Sequence, residues 1–212
     1  MKKIIYMGTP HYAKAILDSI IEMKHYEVSL VITQPDRPVG RKKVLTPPPV
    51  KELALKHGIE VLQPQNLKAQ ETQEAIEALK PDFIIVAAFG QILPRSILDI
   101  APCINLHASI LPHYRGASPV QQSLLNNDSY SGVTAMLMDV GLDTGDILGF
   151  QYFKIPSDMR LHGLMNQLTD DAAKLTLDIL ARFDELKPLS QLDIEASLCK
   201  KIKRQDGEIG FE

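Results

Sequence analysis

Asn105-Leu106-His107 ends an apolar run and leads at once into Ala108-Ser109-Ile110-Leu111-Pro112-His113-Tyr114-Arg115-Gly116. Further on, Asp139-Val140-Gly141-Leu142-Asp143-Thr144-Gly145-Asp146 sets three carboxylates among two glycines after a second apolar run. These residue types suit chemistry on a carbonyl. When an acyl group passes to a substrate amine, the protein needs no serine or cysteine nucleophile. It has to stabilise a tetrahedral oxyanion and move protons. An asparagine amide donates a hydrogen bond without charge and an imidazolium donates one with charge, each of a kind worth about 3–4 kcal/mol at a preorganised oxyanion. Alternation along a strand points residues 105 and 107 to the same side. Asp143 could hold His107 charged and take the proton released by an attacking ammonium, directly or through water. Without further context the residues favour a second reading: a strand-end histidine that only makes structural hydrogen bonds, an asparagine that serves loop backbone, and aspartates that shape turns. His113 and Arg115 read as ordinary surface residues, as do His11, His25, His57 and His162.

The elements that must position these residues follow from periodicity. Residues 3–7 form a first strand, Gly8-Thr9-Pro10 a turn with Pro10 in the first helical turn, and Ala13, Ile16, Leu17, Ile20 and Ile21 recur at helical spacing. Strands follow at 28–33 and 60–62, and helices at 52–56 and 70–79. The stretch Phe83-Ile84-Ile85-Val86-Ala87-Ala88 is continuously apolar, as a parallel strand covered on both faces requires. Residues 103–107 form the next strand. This alternation predicts an α/β domain built on an open, mostly parallel sheet with helices on both faces, binding ligands at the carboxyl ends of its strands. Phe89-Gly90-Gln91 and residues 105–109 both fall at such ends. Residues 133–138 and 147–154 read as paired strands around the Gly141–Asp146 turn, and residues 161–183 as one long helix, capped by Ser157 or Asp158. Beyond Pro188 the pattern weakens.

Composition removes several classes of function. The 212 residues, 45% hydrophobic and 23% charged, suffice for one sizeable domain. A formal charge of -3 argues against a generally basic nucleic-acid binder, though a local basic patch still acts at short range. Cys103 and Cys199 are too few for a zinc cluster or a disulfide framework, so reduced thiols in a cytoplasmic protein are expected, with no metal. No apolar run approaches the length of a signal or membrane segment, so no membrane partner is expected.

Residues 34–49 break the pattern. They read as a structureless loop where a βα connection takes about 2–6 residues. Four cations, Arg37, Arg41, Lys42 and Lys43, against Asp36 leave a local charge of 4 − 1 = +3, which suits an anionic partner or a merely solvated loop.

Taken together, Asn105-Leu106-His107-Ala108-Ser109-Ile110-Leu111-Pro112, Tyr114-Arg115-Gly116-Ala117-Ser118-Pro119-Val120-Gln121 and Gly141-Leu142-Asp143-Thr144-Gly145-Asp146 closely resemble the folate-dependent formyltransferases. Gly8-Thr9-Pro10 with Ala13, and Thr33-Gln34-Pro35-Asp36-Arg37-Pro38 with Gly40-Arg41, resemble the opening turn and inserted loop of the members that act on tRNA. The resemblance runs over residues 3–210. It implies a Rossmann-like formyltransferase fold and transfer of a formyl group from 10-formyltetrahydrofolate to the amino group of methionine on initiator tRNA. It also implies a catalytic trio of Asn105, His107 and Asp143, and a folate site of Phe89, Gly90, Gln91, Ile92, Leu93, Ser109, Ile110, Leu111 and Pro112. The inserted loop, with Arg37, Arg41, Lys42 and Lys43, would meet the tRNA.

Ile110 departs from the family's usual leucine in shape only. Family members also continue into a carboxyl-terminal β-barrel, so residues 1–190 are expected to form the catalytic domain and 191–212 the start of a linker to a barrel absent from this chain, with weak tRNA affinity and a monomeric state. Lys200 to Arg204 read equally as linker or solvated tail. Rivals keep the chemistry and change the acceptor, to an amino-sugar nucleotide, a purine-precursor amine or water. A nicotinamide-binding protein is excluded because Gly8-Thr9-Pro10-His11-Tyr12-Ala13 is not G-x-G-x-x-G. A non-catalytic RNA-binding module finds little support in an acidic chain with 6% aromatics.

Overall fold

A computed structural model describes residues 1–207; the last part of the expected linker, residues 208–212, lies outside the described residues. In chain order the elements are β1 (Lys2–Gly8), α1 (His11–Ile21), β2 (Tyr26–Ile32), β3 (Arg37–Val39), β4 (Val44–Thr46), α2 (Pro49–Lys56), β5 (Val61–Leu62), α3 (Gln70–Ala78) and β6 (Phe83–Ala87). They continue with α4 (Arg95–Leu98), β7 (Cys103–His107), β8 (Arg115–Gly116), α5 (Pro119–Leu125), β9 (Tyr130–Leu137), β10 (Ile147–Lys154), α6 (Leu161–Arg182) and β11 (Leu198–Cys199).

Seven strands form one sheet in the order β10-β9-β7-β6-β1-β2-β5. The pairs from β7 through β5 are parallel, and β9 and β10 add an antiparallel edge. The alternation anticipated from the sequence is visible in β6. Phe83, Ile85 and Ala87 enter a core shared with α1, α2, α5 and α6, while Ile84 and Val86 enter a second core beneath α3 and α4. Helices on both faces are what a strand apolar at every position demands.

Strand order reverses at β1 and β6: successive strands run outward to β2 and β5 on one side and to β7 on the other. Ligands in open α/β sheets bind outside the carboxyl ends at such a reversal. Here the two turns are bridged by Thr9 Oγ1, which donates to the Phe89 carbonyl at 3.2 Å. Gly8 permits the tight exit from β1, since a Cβ there would lie 2.6 Å from that of Ala13.

Three local expectations change. Pro10 stands outside α1 as its extended N-cap rather than in its first turn. The cap of α6 is Arg160, without a side-chain bond, because the Met159 N–H closes a turn onto the Pro156 carbonyl and delays the helix beyond Ser157 and Asp158. The 34–49 segment is not structureless: β3 and β4 pair as an antiparallel hairpin with Arg37 opposite Thr46 and Val39 opposite Val44. Its residues are exposed, so no burial periodicity announced it. Among the described residues, no helix is long and apolar enough to cross a membrane.

Candidate active site

Within β7 the alternation splits function from packing. Ile104 and Leu106 join the α1/α6 core. Asn105 and His107, 9% and 7% exposed, turn to the other face. Their partners on β9 are Met136 and Thr134. Thr134 Oγ1 donates to the Ser109 carbonyl at 2.7 Å and accepts from the Leu111 N–H at 3.0 Å, fastening the segment after β7 back onto the sheet. That segment contains a cis Leu111-Pro112 bond.

Asp143 reaches this pair from the β9–β10 connection. Its Oδ1 accepts from Asn105 Nδ2 at 3.4 Å, and its Oδ2 accepts from the Gly116 N–H at 2.8 Å and lies 3.6 Å from His107 Nδ1. On the far side of the ring, His107 Nε2 is 2.9 Å from the Tyr114 carbonyl. A carbonyl only accepts, so Nε2 carries a proton and Nδ1 is the nitrogen that faces Asp143. The trio expected from the sequence is therefore assembled. The Asn105 amide keeps one N–H beyond the bond to Asp143, directed from the same strand face as the imidazole.

Backbone conformation is unusual around this centre. Ala88, Tyr114 and Asp143 have φ of 43°, 60° and 54°, the left-handed region that non-glycine residues seldom occupy. Such residues persist only where surrounding contacts over-determine them. Gly116 also needs its type: φ is 118°, and a Cβ would strike the Cys199 carbonyl.

The residues expected to meet folate sit beside the trio but present themselves unequally. Phe89, Leu93 and Leu111 are buried, with little surface of any kind left exposed. Gln91 is turned away, with Nε2 donating to the Pro64 carbonyl at 3.1 Å and Oε1 accepting from the Leu67 N–H at 3.3 Å. Ser109 Oγ is spent on the His113 carbonyl at 2.6 Å. Gly90 is exposed, Ile110 and Pro112 are half-buried, and Ile92 stands out at 81% exposure.

The cations of the inserted hairpin lie elsewhere. Arg41, Lys42 and Lys43 occupy its exposed tip, and Arg37 donates to Gln34 Oε1 at 3.0 Å near its base. Asp36, the carboxylate that would offset them, is taken by Lys51 Nζ at 2.8 Å and Gln63 Nε2 at 2.7 Å, which holds it below the usual carboxylate range. The tip thus keeps its positive field.

Some participants were invisible in the sequence. Arg115, read there as a surface residue, is 7% exposed. Its guanidinium bonds Gln191 and Asp193, both brought in by a segment with no periodicity. His113 is exposed as expected, and so are His11, His25, His57 and His162. Cys103 and Cys199 are free and buried; burial pushes the Cys103 thiol up to about 12.

Comparison with known proteins agrees with this fold. Residues 2–180 match the family described as Formyl transferase. The chain is 66% identical over 210 residues to the methionyl-tRNA formyltransferase of Sulfurovum sp. (strain NBC37-1), covering 99% of this chain and 69% of that protein. Among solved structures, an N-formyltransferase from Helicobacter canadensis in complex with folinic acid and dTDP-3-aminofucose superposes with a TM-score of 0.73 at 24% identity, covering 100% of this chain and 74% of that one. The methionyl-tRNA formyltransferase from Clostridium thermocellum gives 0.65 at 18%, covering 99% and 77%. At these identities the structures share the fold; the acceptor distinguishes them, and the fold does not.

Proposed function

The chain belongs to the formyl transferase family, among its methionyl-tRNA formyltransferases, and from that premise we propose that it moves the formyl group of 10-formyltetrahydrofolate onto the amino group of methionine carried by initiator tRNA. The observation that carries this reading is the Asp143 carboxylate met by Asn105 Nδ2, His107 Nδ1 and the Gly116 N–H.

The proposed steps balance as follows. The methionine nitrogen attacks the formyl carbon, and the carbonyl electron pair moves to oxygen. The free N–H of Asn105 and a proton on His107 Nδ1 receive that oxyanion. Asp143, directly or through a water, takes the proton that the new ammonium must lose. The bond from the formyl carbon to the folate nitrogen then breaks, and the proton returns to that nitrogen, leaving tetrahydrofolate and formylmethionyl-tRNA. Proton transfer and hydrogen bonding by side chains supply these steps without a metal.

Folate would lie along the wall from Phe89 to Leu93 and against residues 109–112, with Ile92, Ile110 and Pro112 offering side chains. The hairpin cations Arg37, Arg41, Lys42 and Lys43 would approach tRNA phosphates. The proposed division places the catalytic domain at residues 1–190 and the approach to a further domain within 191–212, whose first part, through Cys199, packs back onto the catalytic domain as a strap. We place the enzyme in the cytoplasm, acting as a monomer on charged tRNA.

Acceptor choice is the part to test. With 10-formyltetrahydrofolate as donor, the chain should formylate methionyl initiator tRNA and leave an amino-sugar nucleotide unmodified. Formylation of the sugar with none of the tRNA at high tRNA concentration would refute the acceptor, and donor hydrolysis without either product would make it a hydrolase.

A further inference from the structure

Asp143 adopts a left-handed conformation, and contacts from outside its own loop reach both its carboxylate and its backbone. The contact to its backbone comes from a strap that follows α6. Leu189 exchanges two backbone hydrogen bonds with Ile147, at 2.8 and 2.9 Å, just past the loop. Further along the chain β11 pairs with β8, so that Leu198 lies opposite Arg115 and Cys199 opposite Gly116, the residue whose N–H grips Asp143. Between those anchors, Gln191 Nε2 donates to the Asp143 carbonyl at 2.9 Å and to the Gly145 carbonyl at 2.7 Å, spanning the turn.

The orientation of that amide is chemically fixed. Arg115 Nε donates to Gln191 Oε1 at 3.0 Å, and Nε can only donate. The carbonyls of Asp143 and Gly145 only accept, so they require the NH2 end. Arg115 is itself held by Asp193 Oδ1, 3.0 Å from both terminal nitrogens. A glutamate would lose both donors and a lysine would lose the acceptor. Glutamine satisfies both sides at once.

We infer that Gln191, oriented by the buried Arg115, is a positioning residue that holds the Asp143 turn in its reactive conformation. The inference rests on the proposed role of Asp143. Gln191 touches neither reacting group; it acts on the backbone that carries the carboxylate. A displacement of about 1 Å at such a group costs on the order of 100-fold in rate.

The test uses the full chain and two variants. Gln191→Met keeps length and removes all polarity; Gln191→Glu keeps the Arg115 partner and removes both donated bonds. Each should lower kcat by about 10- to 100-fold, with KM for 10-formyltetrahydrofolate and for tRNA within about 2-fold and a circular dichroism spectrum like that of the parent. Asp143→Asn is measured beside them. Wild-type kcat in both Gln191 variants while Asp143→Asn is inactive overturns the positioning role and leaves the site intact. A parallel rise in both KM values, or global unfolding of both variants, assigns Gln191 to general stability and overturns it too. Full activity of Asp143→Asn removes the premise itself.

Discussion

The hairpin at residues 37–46 and the turn at residues 139–146 are both polar segments between strands, yet they are held in opposite ways. The hairpin is exposed along both short strands, presents Arg41, Lys42 and Lys43 at its tip, and is tethered at its base through Asp36, Lys51 and Gln63. The turn is tied from several directions. Asn105, Gly116 and Gln191 all bond Asp143, and a Cβ on Gly145 would strike the Leu137 carbonyl. An exposed cationic arm can meet a large anionic partner and contributes to affinity without fixing any reacting atom. A reacting carboxylate has to be fixed before substrate arrives. The contrast supports the proposed separation of grip in one region from chemistry in the other.

Substitutions should separate these roles. Asn105→Ala, which removes an oxyanion donor, should lower kcat by about 100- to 1,000-fold while folate binding stays near normal; steady-state kinetics with a folate titration measures both. Arg41→Ala should leave kcat intact, raise KM for tRNA, and reduce the slope of log affinity against log salt by about 1. An equal loss of folate binding would show that the hairpin is part of the chemical site. The smallest effect concerns the hairpin base. Asp36 has its folded-state pKa lowered, chiefly by the Lys51 hydrogen bond. Its contribution is therefore present above the ordinary value of 3.8 and is lost as pH falls through the lower folded value. Limited proteolysis should find the hairpin intact at pH 5 and more readily cut only below about pH 4, whereas Asp36→Asn should make cutting independent of pH across that range.

Legibility in the sequence followed burial. The five-residue apolar strand β6 and the spacing of α1 and α6 were readable because each buries a regular face. Asn105 and His107 were placed on one face by strand alternation alone, and the geometry agrees. The β3–β4 hairpin was missed because both of its faces meet solvent, so no pattern forms. The strap was missed for a different reason. Leu189, Leu192, Ile194 and Leu198 are exposed, and the strap's order comes from partners far away in the chain, such as Arg115 and Ile147. A lone glutamine in a weak pattern carries no signal of the carbonyls it bridges. Arg115 looked like a surface cation because arginine usually is one, and its half-buried partner Gln191 lies 76 residues away.

Single-turnover formyl transfer at saturating methionyl initiator tRNA tests the division of labour most directly, since saturation removes differences in grip. With Arg41, Lys42 and Lys43 replaced by serine, the rate should match the parent once tRNA is saturating, and with Asn105→Ala it should remain about 100- to 1,000-fold lower at any tRNA concentration. A slow chemical step in the hairpin variant at saturation, or a normal one in Asn105→Ala, would contradict the account.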